Sequence, residues 1–309
     1  MGVFVFLPLV LPLTAWPIAR LAEQHLHPRT ATRLLSAVAG ILAVCSTLCL
    51  GLLMIVGTAQ LPGNPLPDGW SDPEVRAAVP YDEVAGRAAI PVLLGVVTSC
   101  GWAAWRQLRA RRRAVGALAG LPTRPVTVLP DPTPYAYALP GRRGRVVAST
   151  GMLAGLNSAE RRALFAHERA HLAGRHHRHL LTVHLAARAN PFLRPLRTAV
   201  TYTAERWADE EAAAVIGSRR TVARAIGKAA LMAPVTPAAL LPSLTGAGPV
   251  PRRVAALMRP APMGRAWPPA FTTVGLAAWG AAAGTTVSAL ASANSAVTLF
   301  LILHAATPM

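Results

Sequence analysis

Apolar residues along this chain gather in long blocks instead of spreading evenly. Gly2 to Ala19, Leu34 to Ala59, Ala88 to Trp105 and Ala270 to Leu303 contain no Asp, Glu, Lys or Arg. Each approaches or exceeds the ~18 uncharged residues that argue for a helix crossing a bilayer. Four such blocks predict about four transmembrane helices. The first is interrupted by Pro8, Pro12 and Pro17. It has no basic stretch before it and no small-residue cleavage site, so it reads as a retained, kinked span over 2–19 and not as a signal peptide. The last block is too long for one straight span, because a helix rises ~1.5 Å per residue and the hydrocarbon core is ~30 Å thick. A tilted helix or a break near Ser292 to Asn294 resolves the mismatch, and the pattern leaves both open.

Between the third and fourth blocks the pattern changes to that of a folded domain. Pro125 to Leu129 reads as a short strand. Tyr135 to Leu139 alternates aromatic and small residues, Gly141-Arg142-Arg143-Gly144 makes a turn, and Arg145 to Ala148 returns, which predicts a β-hairpin. A helix follows from about 158 past His171. Asn157 is placed to cap it, with Glu160 three residues on. Arg175 to Leu181 reads as its continuation. The stretch from 176 to 200 is amphipathic and too charged to span, so it lies on the membrane surface or packs over a site. Thr201 to Ile216 reads as a second good helix.

Charge changes this picture by giving it a direction. Of 31 basic residues in 309, only Lys228 is lysine, and the net charge is +18. Arg20, Arg29 and Arg33 follow the first block, and Arg106, Arg109, Arg111, Arg112 and Arg113 follow the third. The loop between the second and third blocks carries Asp68, Asp72, Glu74, Asp82 and Glu83. Basic loops stay inside, so the N-terminus and the 60–87 loop are expected outside and the segment 106–269 in the cytoplasm. Arginines beside apolar spans anchor to anionic headgroups. No nucleic-acid-binding signature accompanies them, and no nucleic-acid partner is expected. Cys45, Cys49 and Cys100 fall inside predicted spans and read as small buried apolar residues.

The chemistry sits in that cytoplasmic segment. His167-Glu168-Arg169-Ala170-His171 places two imidazoles four apart on one helical face, where they can grip one zinc ion. Glu168 is then placed to act as a base on water at the metal. A catalytic zinc keeps three protein ligands and one open position. Glu205 is the expected third ligand, and Asp209, one turn on, the group that holds the outer nitrogen of a liganding His. A rival exists, since His167 to His177 also fits H-E-x-x-H-x-x-G-x-x-H with Gly174 at the turn. His176, His177 and His179 otherwise face headgroups or solvent. An edge strand beside the metal helix would hold a peptide by backbone pairing.

These residues resemble the membrane-integrated zinc metallopeptidases of the gluzincin type. That group includes the CAAX prenyl-protein and heat-shock membrane proteases and the protease part of β-lactam sensor-transducers. Pro134 to Gly141 looks like the family's strand before the site. Val146 to Leu153 is similar to its segment leading into the metal helix, and Ser158 to His171 to the metal helix itself. Glu205-x-x-Ala208-Asp209 matches the family's E-x-x-A-D, and Pro251-Arg252-Arg253-Val254-x-x-Leu257 resembles a late arginine motif. Ala15-Trp16-Pro17 and the layout look most like the β-lactam-sensor branch. The resemblance implies zinc on His167, His171 and Glu205, catalysis by Glu168 and support from Asp209. No penicillin-binding domain is expected after the fourth span, so antibiotic sensing is not carried over. No His precedes the late arginine, which leaves Arg253 and Tyr202 as weak candidates for stabilising an oxyanion.

The expectation is a mostly α membrane protein. Three spans (2–19, 34–59 and 88–105) fill residues 1–105. An α+β zincin-like cytoplasmic protease domain occupies 106–269, and a last transmembrane segment 270–309. Its function is expected to be zinc-dependent hydrolysis of peptide bonds in a cytoplasmic or membrane-proximal protein, with Zn2+ as cofactor and the cell membrane as its location. A regulatory cleavage is implied by the resemblance alone. The alternative is a zinc-binding membrane sensor or scaffold that cleaves nothing.

Overall fold

A computed structural model describes residues 7–59, 61, 63, 66, 67, 70, 82–122, 124–141, 144–232, 249–262 and 271–305. Helix dominates. Among the described residues, three helices are long and apolar enough to cross a membrane: Pro28–Ala59, Val84–Gly116 and Gly275–Ala305. The first apolar block is not one of them. Its residues 2–6 lie outside the described residues, and the rest is broken into α1 (Leu7–Val10), a 3-10 turn (Leu11–Thr14) and α2 (Ala15–His25). The break falls where Pro12 stands at the start of the 3-10 turn, since proline removes a helix donor and clashes with the preceding turn.

The second block begins earlier than its apolar run, as α3 (Pro28–Ala59). Proline is favoured at a first helical position, where its missing N–H costs nothing. The third block lies within α4 (Asp82–Gly116), which carries Pro91 inside it. Gly57 of α3 and Gly86 of α4 meet so closely that a Cβ on either would collide with the other's backbone. The 60–87 loop expected outside lies largely beyond the described residues.

After α4 come β1 (Val126–Leu129), β2 (Ala136–Leu139) and β3 (Arg145–Ser149). The predicted hairpin is present, with β2 antiparallel to β3 and Ala138 opposite Val146. Strand β1 adds parallel to the other side of β3, giving the order β1-β3-β2. β2 is therefore an edge strand, and it packs on the metal-motif helix.

The helices that follow are α5 (Thr150–Ala154), α6 (Ser158–Ala173), α7 (His176–Ala189), α8 (Arg194–Ile216), α9 (Arg219–Met232) and α10 (Val250–Leu257). A 3-10 turn, Pro191–Leu193, joins α7 to α8. α6 starts on the expected capping box. The Asn157 side chain accepts from the Glu160 N–H at 2.9 Å, and Glu160 Oε2 accepts from the Asn157 N–H at 3.0 Å. Lys228 Nζ donates to the same carboxylate at 2.8 Å. The continuation past Gly174 that the sequence suggested is absent. α6 caps there, Arg175 takes the left-handed region at φ 50°, and α7 starts afresh in a new direction.

The last block is a single helix, α11 (Thr273–Ala305), unbroken at Ser292 to Asn294. At ~1.5 Å per residue it is longer than a ~30 Å hydrocarbon core, so it tilts or overhangs. Its buried Thr285, Ser288, Ser292 and Ser295 recur at spacings of three and four, on one face.

The apolar helix α3 shares one core with α7 and α8. Leu35, Val38 and Leu42 pack with Leu180, Val183 and Leu196. Hydrogen bonds fix the register: Thr32 Oγ1 donates to Thr203 Oγ1 at 3.0 Å, and Ser36 Oγ lies 2.7 Å from His179 Nδ1. α3 therefore forms the wall on which α7 and α8 are mounted.

Glu160 is held below the ordinary glutamate range by Lys228 and the Asn157 N–H. A carboxylate whose folded pKa is lowered stabilises the protein above its unfolded value of ~4.3, and that stabilisation is lost as pH falls through the folded value. Asn157→Ala is expected to cost about 1 kcal/mol. Glu160→Gln is expected to lower the apparent melting temperature at pH 7, with the gap to wild type closing below about pH 4. Thermal unfolding in detergent across pH checks both.

Candidate active site

Helix α6 brings His167 and His171 to one face, and α8 crosses it with Glu205 and Asp209 one turn apart on its own buried face. The two imidazole Nε2 atoms lie 3.1 Å apart. Glu205 Oε2 is 3.5 Å from His167 Nε2, and Glu205 Oε1 is 3.4 Å from His171 Nε2. One donor atom from each of the three lies within 4.8 Å of the others, and all three residues are buried. Two imidazoles and a carboxylate converging in this way could hold a metal ion. A carboxylate and neutral imidazoles are the donor set that suits zinc.

Glu168 is also buried. Its Oε2 has no protein hydrogen-bond partner among the described residues, while the backbone N–H of Ala138 on β2 bonds to the carboxylate. Burial raises its pKa to about 7, with Glu205 adding to the rise. His167, Arg253 and the Ala138 N–H pull the other way. A carboxyl poised near neutrality is suited to moving a proton in both directions.

Behind the first set stands Asp209. Its Oδ1 is 3.1 Å from His167 Nδ1, close but off line for a well-directed hydrogen bond. Arg253 on α10 grips the same carboxylate twice, with Nε donating to Oδ2 at 2.9 Å and Nη2 to Oδ1 at 2.6 Å. Its Nη1 lies 2.9 Å from Glu205 Oε2. Burial opposes every charge here, yet the Arg253 guanidinium holds both Glu205 and Asp209 below the usual carboxylate range. Burial would likewise lower His167, but Asp209 and Glu205 hold it up at about 10. His171 goes the other way, down to about 4, because burial prevails over the pull of Glu205.

The late arginine thus points at carboxylates instead of at open space. All three of its donor nitrogens are engaged by Asp209 and Glu205, an arrangement that positions those groups. Tyr202, on α8, is buried under the Arg252 guanidinium, 4.0 Å from its ring centre, and Arg252 in turn pairs with Glu23 at 2.7 Å.

His176 is the residue that sequence reasoning misplaced. It faces neither headgroups nor solvent. It is fully buried, with Nδ1 2.8 Å from His171 Nδ1 and its ring 4.5 Å from that of Trp207. Burial and the neighbouring His171 hold its pKa far down, so it stays neutral. The reversal at Gly174-Arg175 is what swings it inward. A Cβ on Gly174 would collide with its ring. Arg29 and Arg33 of α3 lie over the Trp207 ring, at 5.5 and 5.3 Å from its centroid. The signal was a glycine three residues after His171, followed by a His five residues after it. His177, the rival third ligand, is half-buried and is not part of the convergent group.

Metal content measured on the purified full chain checks this geometry. Glu205→Ala and His171→Ala are expected to lose the metal, and His177→Ala to keep it. Asp209→Ala is expected to weaken metal affinity by about 10–100-fold, as loss of an orienting partner does. Metal loss only in His177→Ala would reverse the assignment.

Comparison with known proteins adds a family to the geometry. Residues 103–185 match the model of Peptidase family M48. No curated protein and no solved structure matches the chain. The matched stretch runs from α4 through the sheet and α6 into α7, and so contains His167, Glu168, His171 and His176. It stops before Glu205, Asp209 and Arg253, which join the site by folding. The matched segment and the convergent donors together support a metallopeptidase, associated with a membrane through its apolar helices.

Proposed function

We propose that the chain is a membrane-bound, zinc-dependent endopeptidase with a cytoplasm-facing active site, cleaving peptide bonds of a cytoplasmic or membrane-proximal protein. The observation that carries this reading is the convergence of His167, His171 and Glu205 beside a buried Glu168 oxygen that has no hydrogen-bond partner among the described residues. His167 Nε2, His171 Nε2 and the Glu205 carboxylate would hold the zinc. A zinc ion there supplies Lewis acidity, polarising the scissile carbonyl and acidifying water.

The remaining work falls to this chain's own side chains. Glu168 accepts the proton of the attacking water on its carboxylate and delivers it to the leaving amine nitrogen. Its pKa near 7 leaves both forms accessible. Asp209, locked by Arg253, sits against His167 Nδ1, which keeps the Nε2 lone pair turned toward the donor group. His176 does the same on the other ring, accepting at Nδ1 from the His171 Nδ1–H. β2 pairs with β3 on one side, and its Ala138 N–H points to Glu168. An extended substrate laid along the open edge of β2 would pass its carbonyls by that carboxylate, held by backbone pairing. Orientation rests on the basic residues after Trp105 and the acidic loop before α4.

Glu168→Gln is expected to keep its metal and its fold while losing about 10²–10⁴-fold in peptide hydrolysis, the usual weight of a general base. In the wild-type protein kcat/KM is expected to rise with pH through an acid limb at or below about 7, because Glu168 must be ionised to accept a proton and a bound cation favours the ionised form. Cleavage of a cytoplasmic reporter, or of the chain itself, provides the assay. Equal products from wild type and Glu168→Gln would leave a zinc-binding scaffold in place of an enzyme.

A further inference from the structure

The pair α7 and α8 extends well beyond the site it carries. Along α7 the contact on α3 moves steadily toward the interior of the span. His179 meets Ser36, Thr182 lies against Gly40, and past the end of α7 Asn190 Nδ2 donates to Ser46 Oγ at 3.1 Å. Ser46 Oγ donates in turn to the Pro8 carbonyl at 2.8 Å. On the other flank, Cys100 Sγ donates to the Leu185 carbonyl at 3.6 Å, and Arg188 Nη1 to Ser99 Oγ at 3.4 Å.

Helix α4 marks where the bilayer surface would lie. Trp102 and Trp105 are exposed and adjacent, and Arg109 stacks on Trp105 at 5.0 Å. Aromatic rings followed at once by arginines are the signature of a membrane interface on its cytoplasmic side. Ser99 and Cys100 lie on the apolar side of that belt, roughly 3–9 Å from its two rings along the helix axis. The end of α7 is bonded to them, so the turn Pro191–Leu193 sits below the belt.

The surface of this tip is apolar where it faces outward. Phe192 is 54% exposed, and the Leu11–Thr14 turn and the start of α2, packed against the Pro191–Leu193 turn, leave Leu13 56% and Trp16 62% exposed. Arg188, Arg194 and Arg197 surround the tip, all exposed. Long arginine side chains can bury their stems and send the charge up to anionic headgroups.

We propose that the α7–α8 hairpin is a membrane-inserted element, its tip immersed in the cytoplasmic leaflet with lipid as the occupant of the Phe192–Leu13–Trp16 surface. Lipid is chosen over a protein partner because the end of α7 is bonded to Ser46 of α3 and to Ser99 and Cys100 of α4, in stretches whose exposed residues Val44, Leu48 and Val97 are apolar, and because the rim of this surface is cationic. The inference rests on the membrane reading above and not on catalysis. Its consequence is that the active site, at the opposite end of the 14-residue α7, is held at a fixed height about 20 Å from the tip. That limits substrates to chain segments close to the bilayer.

The test is nitroxide accessibility in the full chain, with Cys45, Cys49 and Cys100 replaced by alanine, in phosphatidylcholine–phosphatidylglycerol liposomes. Labels at Phe192→Cys and Leu13→Cys are compared with Leu94→Cys on the exposed apolar face of α4 and Arg220→Cys on α9. The proposal expects both tip labels to collide with oxygen and to be shielded from a water-soluble nickel chelate, as at position 94. Chelate access as at position 220 would overturn it. Shielding from both reagents would also overturn it, in favour of a protein cover such as a second copy. Because neither metal nor substrate is needed, failure here leaves the peptidase proposal standing, and loss of hydrolysis in Glu168→Gln bears only on that one.

Discussion

The candidate site is organised around a shortage of positive charge. Glu205, Asp209 and Glu168 are buried together with one guanidinium, Arg253, among them. Burying a carboxylate away from water is costly unless a cation or several donors meet it. Arg253 satisfies Asp209 through two hydrogen bonds and touches one oxygen of Glu205, which leaves the cluster still net negative. Its response is visible at His167, whose pKa is held up at about 10 by the two carboxylates although burial alone would lower it. The place where this site draws a positive charge is where the two Nε2 atoms and Glu205 converge. A divalent cation bound there would provide more charge than a proton and would leave both imidazoles neutral.

Everything around the cluster serves to keep it from relaxing. α8 cannot shift its carboxylates, because its other face is packed on α3 through Leu196, Ala199 and Val200 and pinned by Thr203 to Thr32. α6 is fixed at its start by the Asn157–Glu160 box and by Lys228. At its end, the reversal at Gly174-Arg175 sends His176 back against His171. Placing a non-glycine residue in the left-handed region is unfavourable, and the buried stack of His171, His176 and Trp207 offsets it. The apolar helix α3 is therefore part of the scaffold of the candidate site, and a shift of α3 would be felt at Glu205.

Much of the site was legible in the sequence because its signals are local. The four-residue spacing of His167 and His171, the three-residue capping box and the four-residue spacing of Glu205 and Asp209 are all helical periods, and each landed on a helix with the expected face inward. The hairpin of β2 and β3 was equally local. The parallel pairing of β1 was not visible, since it joins segments about twenty residues apart and no turn residue encodes it. His176 was hidden by a backbone reversal at an arginine, where the sequence continued to favour helix. The shared core was missed for a different reason. Nothing in the apolar pattern singled out Thr32, Ser36 and Ser46, yet each makes a specific hydrogen bond to α7, α8 or the turn between them. The first apolar block was read as one kinked span, and Pro12 divides it more completely than a kink.

The central claim is that two imidazoles on α6 and one carboxylate on α8 form a single metal-binding set. X-ray absorption at the zinc edge of the purified full chain, loaded with stoichiometric zinc, tests it most directly. The account predicts two nitrogen neighbours at about 2.0–2.1 Å with imidazole outer-shell scattering, oxygen neighbours at about 2.0–2.2 Å, and no sulfur. Loss of one oxygen neighbour in Glu205→Ala should follow. A third imidazole in the wild-type spectrum, or a spectrum unchanged by Glu205→Ala, would contradict it.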